Sequence, residues 1–345
     1  MVEDGTFVAA LPRSLLHLRF LVENRPSTQL VLFRDAGLAP AIEQHFPGRS
    51  LYLGREQRPS RNPLHLLRIR AENRAYYHSV AQAFASQPIN RLILFLEGEP
   101  LERFIISRFA GEIELWEDGI SHYIDLTSPL WYAARGLIQG VSGFYAGQIT
   151  QRRADRSRMT VRDRFERRDL VLAPPKLGSR RAGGLLIGSP LVEDGIASPA
   201  VFRRAVQTVA AGIAPLELKY LPHPRENLGR LDEALAGIPR TSLIRSSAGL
   251  LPHLAEHSYL LYAAANSTAL LDLCEFDRSL FVPSLFGLGR MDRELRAWEA
   301  NPVMVGGMEA LAKLAARLQA TGQPDPASIE HPEGSEEPKK PTQLA

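Results

Sequence analysis

Two short motifs, Glu117-Asp118-Gly119 and His223-Pro224, each stand at the end of a strand-like run. The first follows residues 113–116, and the second follows residues 216–221. A carboxylate at a strand end is placed to take a proton as a general base. An imidazole on a turn, bracketed by Pro222 and Pro224 and beside Arg225, is placed to hydrogen-bond a phosphate oxygen as a bond to it breaks. A base and a phosphate partner are the minimum set for moving a sugar from an activated nucleotide to a hydroxyl. The plain alternatives are a structural turn at Glu117-Asp118-Gly119 and a surface-loop histidine at His223.

Two further elements bear on the same chemistry. Asn266-Ser267-Thr268 joins a predicted strand, 258–263, to a predicted helix, 267–274. Hydroxyls and backbone N–H groups at a helix start suit an anion, although a simple helix cap uses the same residues. Gly188-Ser189-Pro190 ends the predicted strand 184–188, and small residues there let backbone approach a ligand closely.

The acid-acid-Gly triplet occurs three times, so position has to choose among the copies. Glu3-Asp4-Gly5 precedes the opening strand. Glu193-Asp194-Gly195 lies in a strand-to-helix loop, where its acids suit capping the next helix. The middle copy follows a strand directly and is flanked by Ser121, His122 and Tyr123. A second His-Pro pair, His331-Pro332, falls in the proline-rich tail and is set aside.

The elements that must position these groups alternate between strand and helix. Strands are expected at 6–10, 29–33, 51–54, 91–96 and 112–116, with helices at 12–23, 71–87, 100–109 and 129–139. After a break, strands are expected at 184–188, 215–221, 241–245, 258–263 and 279–282. Helices are expected at 199–212, 227–235, 252–257, 267–274, 295–299 and 308–319. Alternation in two halves predicts an α/β protein of two Rossmann-like domains with mostly parallel sheets facing across a cleft. Ligands in such sheets bind at the carboxyl ends of strands, where both motifs stand. The boundaries read as a first domain over 1–175, with an Arg-rich linker at 151–178, and a second domain over 179–290. Terminal helices follow at 291–320, then a tail at 321–345 whose composition is that of disorder.

Composition narrows the class. Of 345 residues, 45% are hydrophobic and 23% charged, the balance of a globular protein. No apolar run is long enough to span a bilayer, and Glu3 and Asp4 stand where a secretory leader would carry cations. A cytoplasmic protein is expected. The single Cys274 excludes an internal disulfide and a cysteine metal cluster. Net charge is only +3, but Arg152, Arg153, Arg156, Arg158, Arg162, Arg164, Arg167 and Arg168 crowd one stretch. A solvated linker face or a surface for anionic lipid would both use such a run. With one aromatic, Phe165, it lacks the stacking platform of a nucleic-acid site, and no nucleic-acid partner is expected.

In the order of these elements the chain resembles the bacterial sialyltransferases and polysialyltransferases of the two-domain GT-B type. Those families carry an acid-acid-Gly motif in the first domain, then a His-Pro motif and a Ser-Ser/Thr pair in the second. The matching residues are Glu117-Asp118-Gly119, His223-Pro224 and Ser267-Thr268. The run Leu186-Ile187-Gly188-Ser189-Pro190-Leu191 is similar to the strand and loop that open their nucleotide domain. The likeness spans residues 6 to 290. Two departures stand out: the pair is Ser-Thr, and Pro252 and Glu256 are spaced unlike the Pro and Glu that reach the ribose in relatives.

The resemblance implies inverting transfer of sialic acid or a related nonulosonic acid from a CMP-activated donor, with no metal or other cofactor. Glu117, with Asp118 a close second, would be the base, and Gly119 beside them would contact the substrate. His223 would hydrogen-bond the CMP phosphate as general acid or electrostatic stabiliser of the leaving group, supported by Pro224, Ser267 and Thr268, while Gly188, Ser189 and Pro190 would lie along the nucleotide. His122 and Arg225 are candidates for the donor carboxylate. The acceptor would be a saccharide or glycolipid of a surface polysaccharide, lipooligosaccharide or capsule. Residues 152–168 would then touch the inner face of an anionic membrane. Two other classes remain: a GT-B transferase using a UDP- or GDP-sugar, and a non-catalytic saccharide-assembly protein.

Overall fold

In the computed structural model the described residues are 6–58, 62–125, 129–147, 154–245 and 249–322. The first half runs β1 (Val8–Leu11), α1 (Leu15–Asn24), β2 (Leu30–Phe33), α2 (Ala39–His45), β3 (Ser50–Tyr52) and α3 (Pro63–Ala85). It continues with β4 (Arg91–Leu94), α4 (Pro100–Arg108), β5 (Glu112–Trp116), α5 (Ile120–Tyr123), α6 (Pro129–Val141) and β6 (Met159–Arg162). The second half opens with β7 (Ser179–Ile187), α7 (Pro199–Gly212), β8 (Glu217–Leu221), α8 (Leu228–Leu235), β9 (Thr241–Leu243) and α9 (Leu250–Glu256). It closes with β10 (His257–Ala264), α10 (Ala269–Asp272), β11 (Ser279–Phe281), α11 (Gly289–Ala297), β12 (Met304–Val305) and α12 (Met308–Gly322).

Among the described residues the strands form two six-stranded sheets, ordered β3-β2-β1-β4-β5-β6 and β12-β11-β10-β7-β8-β9. Every strand pairing is parallel. Counted within its own half, each sheet has the order 3-2-1-4-5-6 of a Rossmann domain, with a crevice where the order reverses. The protein is thus an α/β fold of two Rossmann-like domains.

Helices cover both faces of each sheet, so the strands read as short continuous apolar runs. On β1, Val8 and Ala10 join the core that also holds Phe20, Phe33 and Trp116. Ala9 and Leu11 point the other way, to Leu92, Phe104 and Leu115. In the second domain, Leu186, Tyr220 and Ala263 pack under α7 and α12. The opposite face, with Ile187, Tyr262 and Phe281, takes in Ile120 of α5 and Ile124 just after it, from the first domain. The two domains therefore share apolar packing on the side where their strands end.

Two boundaries differ from expectation. Part of the Arg-rich stretch is the sixth strand of the first sheet: Met159–Arg162 pairs with β5, so the connection between domains begins after Arg162. The residues after 290 belong to the second domain. Met304–Val305 pairs with β11, and Leu311, Leu314 and Leu318 of α12 lie in its core. The tail beyond residue 322, with His331, and the first acid-acid-Gly copy, Glu3-Asp4-Gly5, lie outside the described residues. No helix among the described residues is long and apolar enough to cross a membrane.

Candidate active site

The middle acid-acid-Gly motif leaves the end of β5 and turns into α5, but its two acids point to different places. Glu117 is fully buried. Arg164 donates to it through Nη2 at 2.5 Å, through Nε at 3.0 and 3.1 Å, and through its backbone N–H at 3.1 Å. The Tyr123 hydroxyl donates to the same carboxylate at 2.7 Å. Arg164 also reaches Asp272 of α10 at 2.8 Å, so Glu117 anchors an ion triad that ties the two domains together. Burial alone would lower the Arg164 pKa, but the bonds to Glu117 and Asp272 outweigh it and raise it. Asp272 is pushed up to about 6, chiefly by burial, against the pull of Arg164.

The loop that delivers Arg164 is shaped by buried Asp163, whose Oδ1 accepts from the backbone N–H groups of Phe165, Glu166 and Arg167 at 2.7–3.0 Å. The seam is finished by rings. Tyr123 stacks on Trp298 of the second domain with centroids 4.2 Å apart, and Phe165 packs edge-on to the same indole.

Asp118 opens instead into a polar cleft of about 190 Å³ between β4, β5, α5 and α6, shared with His122, Tyr132, Arg135 and Arg156. Its Oδ1 accepts from Ser121 Oγ at 2.8 Å. Burial pushes its carboxyl up to about 6, helped by the charge of Glu117 and opposed by the Ser121 bond. The cleft wall is braced by ion pairs. Arg156 grips Glu97 at 2.5 and 2.9 Å, and Arg135 grips Glu99 at 2.7 and 2.9 Å.

At Gly119 the first-domain turn packs directly against the second domain. Its φ of +113° is a conformation for glycine, and a Cβ there would lie 2.3 Å from Thr268 Cγ2 and 2.5 Å from Thr268 Oγ1. The Ile120 N–H donates to Thr268 Oγ1 at 3.4 Å across the same gap. Ser267 Oγ accepts from the Ala269 N–H at 3.3 Å, a local turn, and Asn266 Oδ1 beside it is buried without a hydrogen-bond partner. The expected helix here is short, Ala269–Asp272, and Thr268 gives it no side-chain cap.

His223 leaves the end of β8. Its Nδ1 accepts the Arg225 N–H at 3.1 Å, which assigns the proton of the neutral ring to Nε2. Burial, then the charge of Arg225, lowers its pKa, so the ring is neutral at pH 7. Behind it, buried Glu226 accepts from the His223 N–H at 2.6 Å and from the Tyr220 hydroxyl at 2.7 Å. Its carboxyl is pushed up to about 7, mainly by burial. Gly188 is required at this crossing. A Cβ on it would lie 2.3 Å from Glu226 Oε2 and 2.9 Å from the His223 nitrogen. Buried Ser189 and Pro190 follow it at the β7 end. β7 and β10 are the strands that flank the crevice of the second sheet, and they end at Gly188 and near Ser267-Thr268.

Two sequence expectations change here. Arg225 is clasped by Asp194 through paired bonds at 2.8 and 3.0 Å, and Glu193 accepts from the Asn227 N–H at 3.1 Å. The third acid-acid-Gly copy therefore pins the His-Pro loop, whereas α7 is capped by Ser198. The Arg-rich stretch also faces inward more than expected. Arg156 and Arg164 pair as above, and Arg162 pairs with Asp169. Arg158, Arg167 and Arg168 are exposed, while Arg152 and Arg153 lie outside the described residues. Sequence reading missed Arg164 and Glu226 as site-building residues. For Arg164 the available signal was the alternation of Met159 and Val161 just before it, which marks a strand end.

No protein-family model matches the chain, and no curated protein matches it in sequence. Solved structures with a similar course of the chain include CalG4, the calicheamicin glycosyltransferase, at 13% identity over 94% of this chain and 91% of that one, TM-score 0.47. UGT89C1 of Arabidopsis thaliana complexed with UDP is similar at 10% identity over 92% and 91%, TM-score 0.49. So is a Listeria monocytogenes structure described as a UDP-N-acetylglucosamine 2-epimerase, at 13% identity over 91% and 87%, TM-score 0.49. At such identities the chemistry has to be read from the site itself.

Proposed function

We propose that the chain is an inverting glycosyltransferase that moves sialic acid or a related nonulosonic acid from a CMP-activated donor to a saccharide hydroxyl. The observation that carries this reading is the seam at Gly119 and Thr268. There the turn that carries Asp118 packs against the second-domain hydroxyl of Thr268, at the carboxyl ends of both sheets.

Asp118, not Glu117, is the base in this reading. Glu117 is enclosed by Arg164 and Tyr123, whereas Asp118 faces the cleft and ionises near neutrality. Asp118 takes the acceptor hydroxyl's proton, and the oxygen attacks the anomeric carbon from the side opposite the nucleotide. The bond from that carbon to the phosphate oxygen breaks, and CMP leaves. The neutral His223 ring donates its Nε2–H to the phosphate, acting as a hydrogen-bond donor to developing charge. Thr268 Oγ1 already accepts the Ile120 N–H, which leaves its own hydroxyl proton for the phosphate, beside Ser267. No metal ion enters this sequence of steps. Gly188 lets the nucleotide loop close on His223, with Ser189, Pro190 and Pro224 forming its walls. His122 stays a candidate for the donor carboxylate; Arg225 is already held by Asp194.

Calorimetric titration with CMP, UDP and GDP, repeated on His223→Ala, tests the donor assignment. CMP-selective binding that weakens in the variant supports it. Preference for UDP or GDP would transfer the same machinery to another nucleotide sugar. Binding indifferent to His223, with Asp118→Asn without effect on transfer, would leave a non-catalytic saccharide-assembly protein.

A further inference from the structure

Helix α6 carries a stripe that the rest of the protein does not cover. Leu130, Leu137, Ile138 and Val141 are 85%, 65%, 59% and 49% exposed, and Ala133 and Ala134 between them are exposed too. Their spacing of three and four residues places them along one side of the helix. The other side is engaged: Tyr132 donates to the Gly98 carbonyl and Arg135 pairs with Glu99, on the wall of the Asp118 cleft.

Beside this stripe is a groove of about 520 Å³ between α3, α4 and the segment after α6. Arg70, Arg74 and His78 line it at four-residue intervals along α3, with Arg108 from the end of α4 and Tyr77, Phe104 and Phe144 as apolar lining. Gly143 joins the two features. At φ +81°, it brings the end of α6 so close to α3 that a Cβ would lie 2.6 Å from the Arg70 carbonyl oxygen. Among the described residues no carboxylate pairs with Arg70, Arg74 or Arg108. Glu72 of the same helix is taken by Arg68, and Arg108 lies over the Phe104 ring.

We propose that α6 and the α3 arginine row form a docking surface for an anionic lipid bilayer. The helix lies flat with Leu130, Leu137, Ile138 and Val141 in the acyl boundary, and Arg70, Arg74 and Arg108 meet headgroup phosphates. An uncharged helical stripe bordered by unpaired cations matches that occupant in both layers of its chemistry. Its effect is to hold the mouth of the Asp118 cleft at the membrane surface. The inference stands independently of the transferase reading, and it assigns membrane contact to residues other than 152–168.

The test is co-sedimentation of the full chain with phosphatidylcholine vesicles, with and without phosphatidylglycerol. Binding is expected only with the anionic lipid and should weaken with salt. Leu137→Ser with Ile138→Ser, and separately Arg70→Gln with Arg74→Gln, should each lower partitioning on the order of tenfold. Arg167→Gln with Arg168→Gln should not change it, and circular dichroism should show all variants folded. The proposal is overturned if the wild type stays in the supernatant, or binds neutral vesicles equally well. It is also overturned if both variant pairs bind as the wild type does. A dimer in light scattering that is lost with Leu137→Ser and Ile138→Ser, without vesicle binding, would make the face a protein interface instead.

Discussion

Asp118 and Glu117 are adjacent in the chain and alike in chemistry, and their surroundings separate them. Glu117 has donors on both oxygens and no path to solvent, so its charge is structural. Replacing it with Gln leaves the buried Arg164 guanidinium to Asp272 alone, so chemical denaturation should show a loss below the ~3–5 kcal/mol of a buried pair broken outright. Asp118 works the other way. Its folded pKa of about 6 lies above its ordinary 3.8. Its contribution to stability is therefore full below 3.8 and is lost as pH rises through 6. Asp118→Asn removes that burden at pH 7, so the melting temperature should hold or rise. Transfer should meanwhile fall by about 10²–10⁴-fold, the usual worth of a general base. In the wild type, transfer should decline as pH drops below about 6, because the base is then protonated.

At the scale of elements, the site depends on two glycines that hold strand ends against foreign atoms. Gly119→Ala combines a disfavoured φ with a collision against Thr268 and should cost about 1–3 kcal/mol. Gly188→Ala should push Glu226 and the His223 loop outward, and calorimetry should show weakened nucleotide binding while the first domain's stability is unchanged. The strands were legible because both faces of each sheet are covered, which concentrates apolar residues into runs such as Leu30–Phe33. Less legible were β6, whose Met159 and Val161 stand among arginines, and β12, which is two residues long. Short helices α2 and α5 gave too few turns for a periodic signal. That both motifs stand at strand ends was readable as well, but the surroundings of the two acids were not. The Arg164 that encloses Glu117 lies 47 residues away, and no local pattern announces such a pairing.

At the scale of the whole molecule, the domains meet through apolar residues of α5, the Glu117–Arg164–Asp272 triad and a group of aromatic rings. The seam thus combines buried charge with aromatic rings. Arg164→Ala should loosen it, and small-angle scattering should report a larger radius of gyration, with faster proteolysis between Asp163 and Gly178. One of these rings also gives the protein its own optical gauge. Trp298 lies face to face with Tyr123 across the boundary, whereas Trp116 is sealed within the first sheet. Any rearrangement that parts the halves must unstack the Trp298 indole, and its emission will change colour and brightness as it does. Mixing the unlabelled protein with nucleotide in a stopped-flow fluorimeter would then time the movement directly, with Trp298→Phe silent as the control.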